Sequence, residues 1–322
     1  MINSLGNHAL RVLTAQSAIT IDRSRCVRHR CNRNECSNCM DNCPVGAIVW
    51  NESGLQVKST NCTKCLSCLS VCPTASLQLP ELALHQLLSD LATHPHPVLG
   101  CQRQSYEEAH AKLSCLGYLA HPELMLLLAL VFKGGLQLNL CKCHDCPNSH
   151  ILGGVHETHA RLQKLIPRHK ILLVGNRKAL AFRPKAMTRR ELFSLFRDHS
   201  KRTAAVMVER LHPGDNEHSY GSKQLPMIRA MLLKAMETRP DSQRHRIAGN
   251  LFGNISFTPS CTACGGCVGV CPTGAIQPAE EGKEGPVFER RLCVDCGSCQ
   301  VFCSKNGIQK EIVLAKEHLS RV

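Results

Sequence analysis

Apolar residues along this chain fall into short blocks, and the blocks are of two kinds. Near the N-terminus, Ala18-Ile19-Thr20-Ile21-Asp22 reads as a short strand and Ala47-Ile48-Val49-Trp50 as another, with Leu55-Gln56-Val57 leading into a polar run. In the middle the blocks lengthen and change period. Glu81 to Thr93 has a helical pattern, and Pro97-Val98-Leu99-Gly100 reads as a strand ending at Cys101. Glu107 to Leu113 is expected to be a helix leading towards Cys115, and Pro122 to Lys133 an apolar helix. Leu136 to Leu140 and Lys170 to Val174 follow as strands, the first ending at Cys141. Strands alternating with helices predict a small parallel sheet.

Further on, Thr188-x-x-Glu191 is a capping box, predicting a helix that runs through Leu195-Phe196. Met227 to Thr238 reads as a helix ended by Arg239-Pro240, and the polar segments 211–222 and 240–250 as loops. Pro272-Thr273-Gly274-Ala275-Ile276 echoes Pro44-Val45-Gly46-Ala47-Ile48, so the two ends repeat one plan. The longest apolar run, Leu124 to Phe132, is far short of the ~20 residues that span a bilayer. The first residues show no basic-then-apolar leader, so a reducing cytoplasm is the expected compartment, with no integral membrane span.

The blocks are punctuated by cysteine, 22 in 322 residues. Cys62, Cys65, Cys68 and Cys72-Pro73 read C-x2-C-x2-C-x3-C-P, and Cys261, Cys264, Cys267 and Cys271-Pro272 repeat the spacing. Cys293, Cys296, Cys299 and Cys303 repeat it without the proline. Cys36, Cys39 and Cys43-Pro44 form a fourth copy whose leading cysteine is displaced upstream, to Cys26 or Cys31. A cubane needs one soft thiolate at each of four irons, and two-residue gaps let a tight loop set three sulfurs around one cluster. Zinc sites use two separated pairs of ligands instead.

This is the pattern of bacterial ferredoxins, and the chain resembles a polyferredoxin with a two-cluster module at each end. The resemblance implies crossed ligation, the last cysteine of each run serving the other run's cluster. Cluster 1 would then take Cys36, Cys39 and Cys72 with Cys26 or Cys31. The basic stretch Cys26-Val27-Arg28-His29-Arg30 resembles relatives with an insertion after the first ligand, which favours Cys26. Cluster 2 would take Cys62, Cys65, Cys68 and Cys43, and cluster 3 Cys261, Cys264, Cys267 and Cys303. Cluster 4 would take Cys293, Cys296, Cys299 and Cys271. The implied fold is α+β ferredoxin-like at both ends, residues 1–80 and 251–322. These flank a small α/β domain with a parallel sheet, 81–180, and a basic helical docking or linker segment, 181–250.

Cys101, Cys115, Cys141, Cys143 and Cys146 lie outside these runs. The stretch from Cys115-Leu116-Gly117 through the apolar helix to Leu138-Asn139-Leu140-Cys141-x4-Cys146 resembles the delta subunit of methyl-viologen-reducing hydrogenases. That likeness, over residues 97–150, implies a [2Fe-2S] cluster on Cys101, Cys115, Cys141 and Cys146, with Cys143 spare. A zinc ion helped by His144 and His150, or free buried thiols, are the alternatives.

Charge refines the picture. The formal net charge is +14. Each oxidised cluster with four thiolates carries about −2, bringing a loaded chain to about +4 to +6. Residues 155–250 hold 20 Lys/Arg against 8 Asp/Glu, a difference of +12. With clusters on both sides, an acidic redox protein or the catalytic subunit of an oxidoreductase is the expected partner, and nucleic acid is not. No dinucleotide or phosphate loop and no nucleophile–base pair is visible. The family likeness therefore implies an electron-transfer accessory of an anaerobic redox enzyme, such as a molybdenum or tungsten formate dehydrogenase, a hydrogenase or a heterodisulfide reductase. A maturation or sensing factor, and an oxidoreductase with substrate at the central cluster, are the other readings.

Overall fold

The computed structural model describes residues 19–79, 81–103, 108–183, 222–279 and 285–311. In the N-terminal module β1 (Thr20–Ile21) pairs antiparallel with β4 (Leu77–Gln78), and β2 (Ile48–Asn51) with β3 (Gly54–Val57). The C-terminal module repeats this, β9 (Ile255–Phe257) pairing with β12 (Ile308–Lys310) and β10 (Ile276–Gln277) with β11 (Val287–Phe288). Such short hairpins cannot stand alone in water. Single-turn helices pack between them, α1 (Val27–Arg30), α2 (Asn38–Asp41) and α3 (Ser67–Val71) in the first module. Their C-terminal counterparts are α9 (Gly266–Val270) and α10 (Ser298–Phe302).

Between the modules lies a four-stranded parallel sheet in the order β6-β5-β7-β8, with β5 at Val98–Cys101, β6 at Ala111–Leu113, β7 at Leu136–Asn139 and β8 at Ile171–Val174. It is flanked by α4 (Glu81–Ala92), α5 (Pro122–Val131) and α6 (Ile151–Leu165). Every residue of α5 from Leu124 to Leu130 is buried, so this helix is apolar all round and is covered on several sides. Each buried leucine there contributes about 1.5–3 kcal/mol of burial free energy.

Three expectations are corrected. The helix expected over Glu107–Leu113 is replaced, from residue 108 on, by bends and the edge strand β6, where Ala111 and Leu113 face inward and Lys112 does not. Pairing with β5 fixes β6 as a strand against a helical composition. Segment 240–250, read as a loop, is helix α8 (Asp241–Leu251), started by Pro240 and an acidic first turn and held by one buried residue, Ile247. The whole of α6 was missed, although Ile151, Val155, Leu162 and Leu165 lie on one helical face; Gly153-Gly154 and the surrounding histidines hide the pattern. The helix expected at Thr188 lies outside the described residues.

Helices α7 (Met227–Met236) and α8 join the core of the central domain, which is continuous with that of the N-terminal module. The C-terminal module has its own small core. The described end of the basic segment is thus packed structure. Arg229 of α7, 0% exposed, holds it there. Its guanidinium donates to both carboxylate oxygens of Glu123, at 2.9 and 2.6 Å, and to the carbonyl oxygens of Arg291 and Cys293. It also stacks over Phe252.

Candidate metal centres

The three regular runs share one backbone shape. The residue just before the second cysteine is left-handed in each, Lys64, Ala263 and Asp295, and so is the residue just after it, Leu66, Gly265 and Gly297. The third residue after each trailing cysteine is left-handed too, Gly46, Ala75, Gly274 and Asn306. A non-glycine residue in that conformation costs about 1–2 kcal/mol. Six of these ten positions are not glycine, so the surroundings hold the loops in this form. What the loops achieve is a ring of inward thiols with backbone donors around them. The amide N–H of Ala47 donates to Cys43 Sγ at 3.2 Å, that of Ser76 to Cys72 Sγ at 3.3 Å, and that of Gly307 to Cys303 Sγ at 3.2 Å. Such donors stabilise negative sulfur. The Cys36 run has none of these left-handed residues before its trailing cysteine; instead Asn34 Oδ1 accepts from the Cys36 amide.

The cysteines gather into sets. Cys26, Cys36, Cys39 and Cys72 line one small apolar pocket with Val27, Trp50 and Leu77. Cys43, Cys62, Cys65 and Cys68 line a second, and Cys271, Cys293, Cys296 and Cys299 a third. In a fourth set, Cys261, Cys264, Cys267 and Cys303, Cys267 feels the charges of Cys261 and Cys264. Gly307 closes that set: its Cα packs so tightly on Cys261 that an added Cβ would lie 2.9 Å from the Cys261 Cα, while its N–H reaches Cys303. Cys31, 3% exposed, caps α1 outside the first pocket.

Burial, then neighbouring thiolates, push these thiols up: Cys39 and Cys299 to about 12, Cys296 to about 11 and Cys68 further still. Four soft donors crowded in an apolar pocket are poor acids alone and fit a cationic inorganic core. Among the described residues no three His, Cys, Asp or Glu are gathered as a single metal ion requires.

The central cysteines converge at the C-terminal ends of β5 and β7, where loops of a parallel sheet meet. Cys143 is buried, and its thiol is pushed up to about 12 by burial and then by Cys101, Cys115, Cys146 and Cys141, in that order. Cys141 is held instead towards the Val174 carbonyl, 3.5 Å from its Sγ, and responds to Glu108 and Arg177. Asn139 Oδ1 accepts from the Cys141 amide at the turn after β7.

The sets are neighbours. Cys68 responds to Cys39 as well as to its own set, and Cys115 to Cys65. The backbone of Gly117 packs against Cys65 so closely that a Cβ there would lie 2.2 Å from the Cys65 carbonyl oxygen. Asn148 spans the same seam, donating to the Thr63 carbonyl at 3.3 Å. The two terminal modules touch where Arg30 donates to the carbonyls of Val270 and Gly269 and Asn34 to Ser298.

Residues 30–76 and 260–307 each match the family of 4Fe-4S dicluster domains. Two such domains give four [4Fe-4S] clusters and support an iron–sulfur electron-transfer protein. The first match opens at Arg30, so it takes in Cys31 and leaves out Cys26, whereas the pocket geometry gathers Cys26. A comparison with curated proteins returns no relative of the chain. Among the described residues no helix is long and apolar enough to cross a membrane.

Proposed function

We propose that this protein is the electron-transfer subunit of an anaerobic oxidoreductase, passing single electrons between a catalytic partner and an acceptor. The observation that carries the reading is the closeness of the cysteine sets: Gly117, two residues after Cys115, packs on the Cys65 carbonyl, and Cys68 lies near enough to Cys39 to feel its charge. Clusters bound there would supply one-electron steps at each site, and the chain's own residues fix their spacing.

The ligand sets are Cys26, Cys36, Cys39 and Cys72; Cys43, Cys62, Cys65 and Cys68; Cys271, Cys293, Cys296 and Cys299; and Cys261, Cys264, Cys267 and Cys303. Four-cysteine sites leave no iron open to substrate, which separates conduction from catalysis. A fifth site, of [2Fe-2S] type, is held by Cys101, Cys115, Cys143 and Cys146. The nearness of Cys101, Cys115 and Cys146 to Cys143 supports an all-thiolate site there.

The partner we propose is an acidic catalytic subunit, met by the basic stretch between residues 155 and 250. Anaerobic affinity purification tests it: an oxidoreductase subunit of low isoelectric point should copurify and release at high salt. Recovery of the chain alone at low salt would count against the docking reading. Coulometric reduction tests the relay, with about one electron taken per cluster. Uptake of a single electron per chain would contradict it.

A further inference from the structure

A cavity of about 300 Å³ lies at the junction of both modules and the central domain. That is the lower end of the range for small-molecule sites, about 300–1,000 Å³. Cys72-Pro73 lines it from the first module and Val294-Asp295, next to Cys293, from the second. Leu69, Leu77, Leu79, Met227 and Leu251 make the rest largely apolar.

The polar groups in it select a ligand. Tyr118 lines the cavity, is 8% exposed, and among the described residues its hydroxyl has no hydrogen-bond partner. A phenol that lines an apolar cavity offers one O–H donor to whatever enters it. Burial pushes the pKa of its phenol above the ordinary tyrosine range, Cys72 and Glu123 adding to this, so it stays an O–H donor at neutral pH. His121 stands edge-on to the Tyr118 ring, its Nδ1 taken by the Leu124 amide, and burial keeps it neutral.

The charged groups of the lining are almost all neutralised by the protein. Arg25 is paired with Asp22, Glu123 with Arg229, and Asp295 with Lys310. Arg161 is exposed at the rim. An anionic ligand would therefore find little inside to repay its desolvation. A neutral, flat, apolar molecule with a carbonyl oxygen fits: its body takes the leucine-rich walls, and its oxygen takes the Tyr118 proton.

We propose that this cavity binds a neutral aromatic carbonyl compound of the quinone class, held by the Tyr118 hydroxyl between Cys72-Pro73 and Val294-Asp295. The choice of quinone over other neutral ketones rests on reading the flanking cysteine sets as redox sites.

The test is binding, measured on the full chain with its iron content known. The probe is the fluorescent quinone analogue heptyl-hydroxyquinoline N-oxide. Saturable quenching at one probe per chain is expected. Tyr118→Phe removes the donor and keeps the ring; it should weaken binding about tenfold, the loss of one hydrogen bond. Leu79→Trp, at a partly buried wall position, should fill the cavity and abolish saturation. Quenching that never saturates, or that both variants leave unchanged, overturns the proposal. A full iron complement in such a sample would show that the cluster assignment stands and the cavity proposal alone has failed. If binding is saturable but a long-chain fatty acid competes and a naphthoquinone does not, the ligand class is wrong and the proposal falls.

Discussion

Arg229 donates across 2.8 Å to the carbonyl oxygen of Cys293, and so fastens the C-terminal module to the central domain. The same guanidinium is held by Glu123 at the first turn of α5, so one buried cation ties three parts of the chain. A buried charge is tolerable only while its partners remain. Glu123→Ala should lower stability by about 3–5 kcal/mol, read as a fall in the denaturant midpoint. A change below about 1 kcal/mol would mean that Arg229 finds other compensation.

The displaced ligand of the first set can be decided by two serine variants. Cys26→Ser should cost one cluster, about 4 Fe per chain, with the other clusters retained. Cys31→Ser should leave iron unchanged, since Cys31 lies outside the pocket that Cys26 lines with Cys36, Cys39 and Cys72. The reverse pattern would follow the extent of the family match instead.

A parallel pair addresses the centre. Cys143→Ser should remove the central site's visible absorption and about 2 Fe per chain, and Cys141→Ser should remove neither. Equal loss from both would mean that the five thiols share the site in a way their charges do not reveal.

Loading is linked to protons. In the metal-free protein Cys39, Cys143 and Cys299 are held up to about 12 by burial and neighbouring thiols, so at neutral pH they carry protons. Each must lose its proton on coordination. Iron–sulfur reconstitution in weak buffer should therefore acidify the medium, and iron affinity should rise with pH and fall on acidification. Loading without proton release would mean the thiols are already ionised.

Much of this was legible in the sequence because cluster chemistry fixes spacing. Three runs with two-residue gaps fold into the same turns, down to left-handed residues at matching positions, so Cys62, Cys261 and Cys293 could be aligned by counting. The parallel sheet was readable because Val98–Gly100, Leu136–Leu138 and Ile171–Val174 are short apolar runs ended by turn signals. Strand β6 was not, since three residues at a sheet edge carry too little periodicity to outweigh their neighbours. Helix α6 was obscured by charge and paired glycines. The burial of Cys143 among the other central cysteines is a tertiary detail that spacing does not encode. Arg229 gave no sign in the sequence: one arginine in a basic stretch looks like its exposed neighbours until its partner, Glu123, more than a hundred residues away, is seen.

The most direct measurement is iron and acid-labile sulfide per chain in anaerobically prepared protein, with cluster types resolved by Mössbauer spectroscopy. Four [4Fe-4S] clusters and one [2Fe-2S] cluster predict about 18 Fe, about 16 of them in cubane signals. A content near 8 Fe, or a zinc content near one per chain with no cubane signal, would contradict the account.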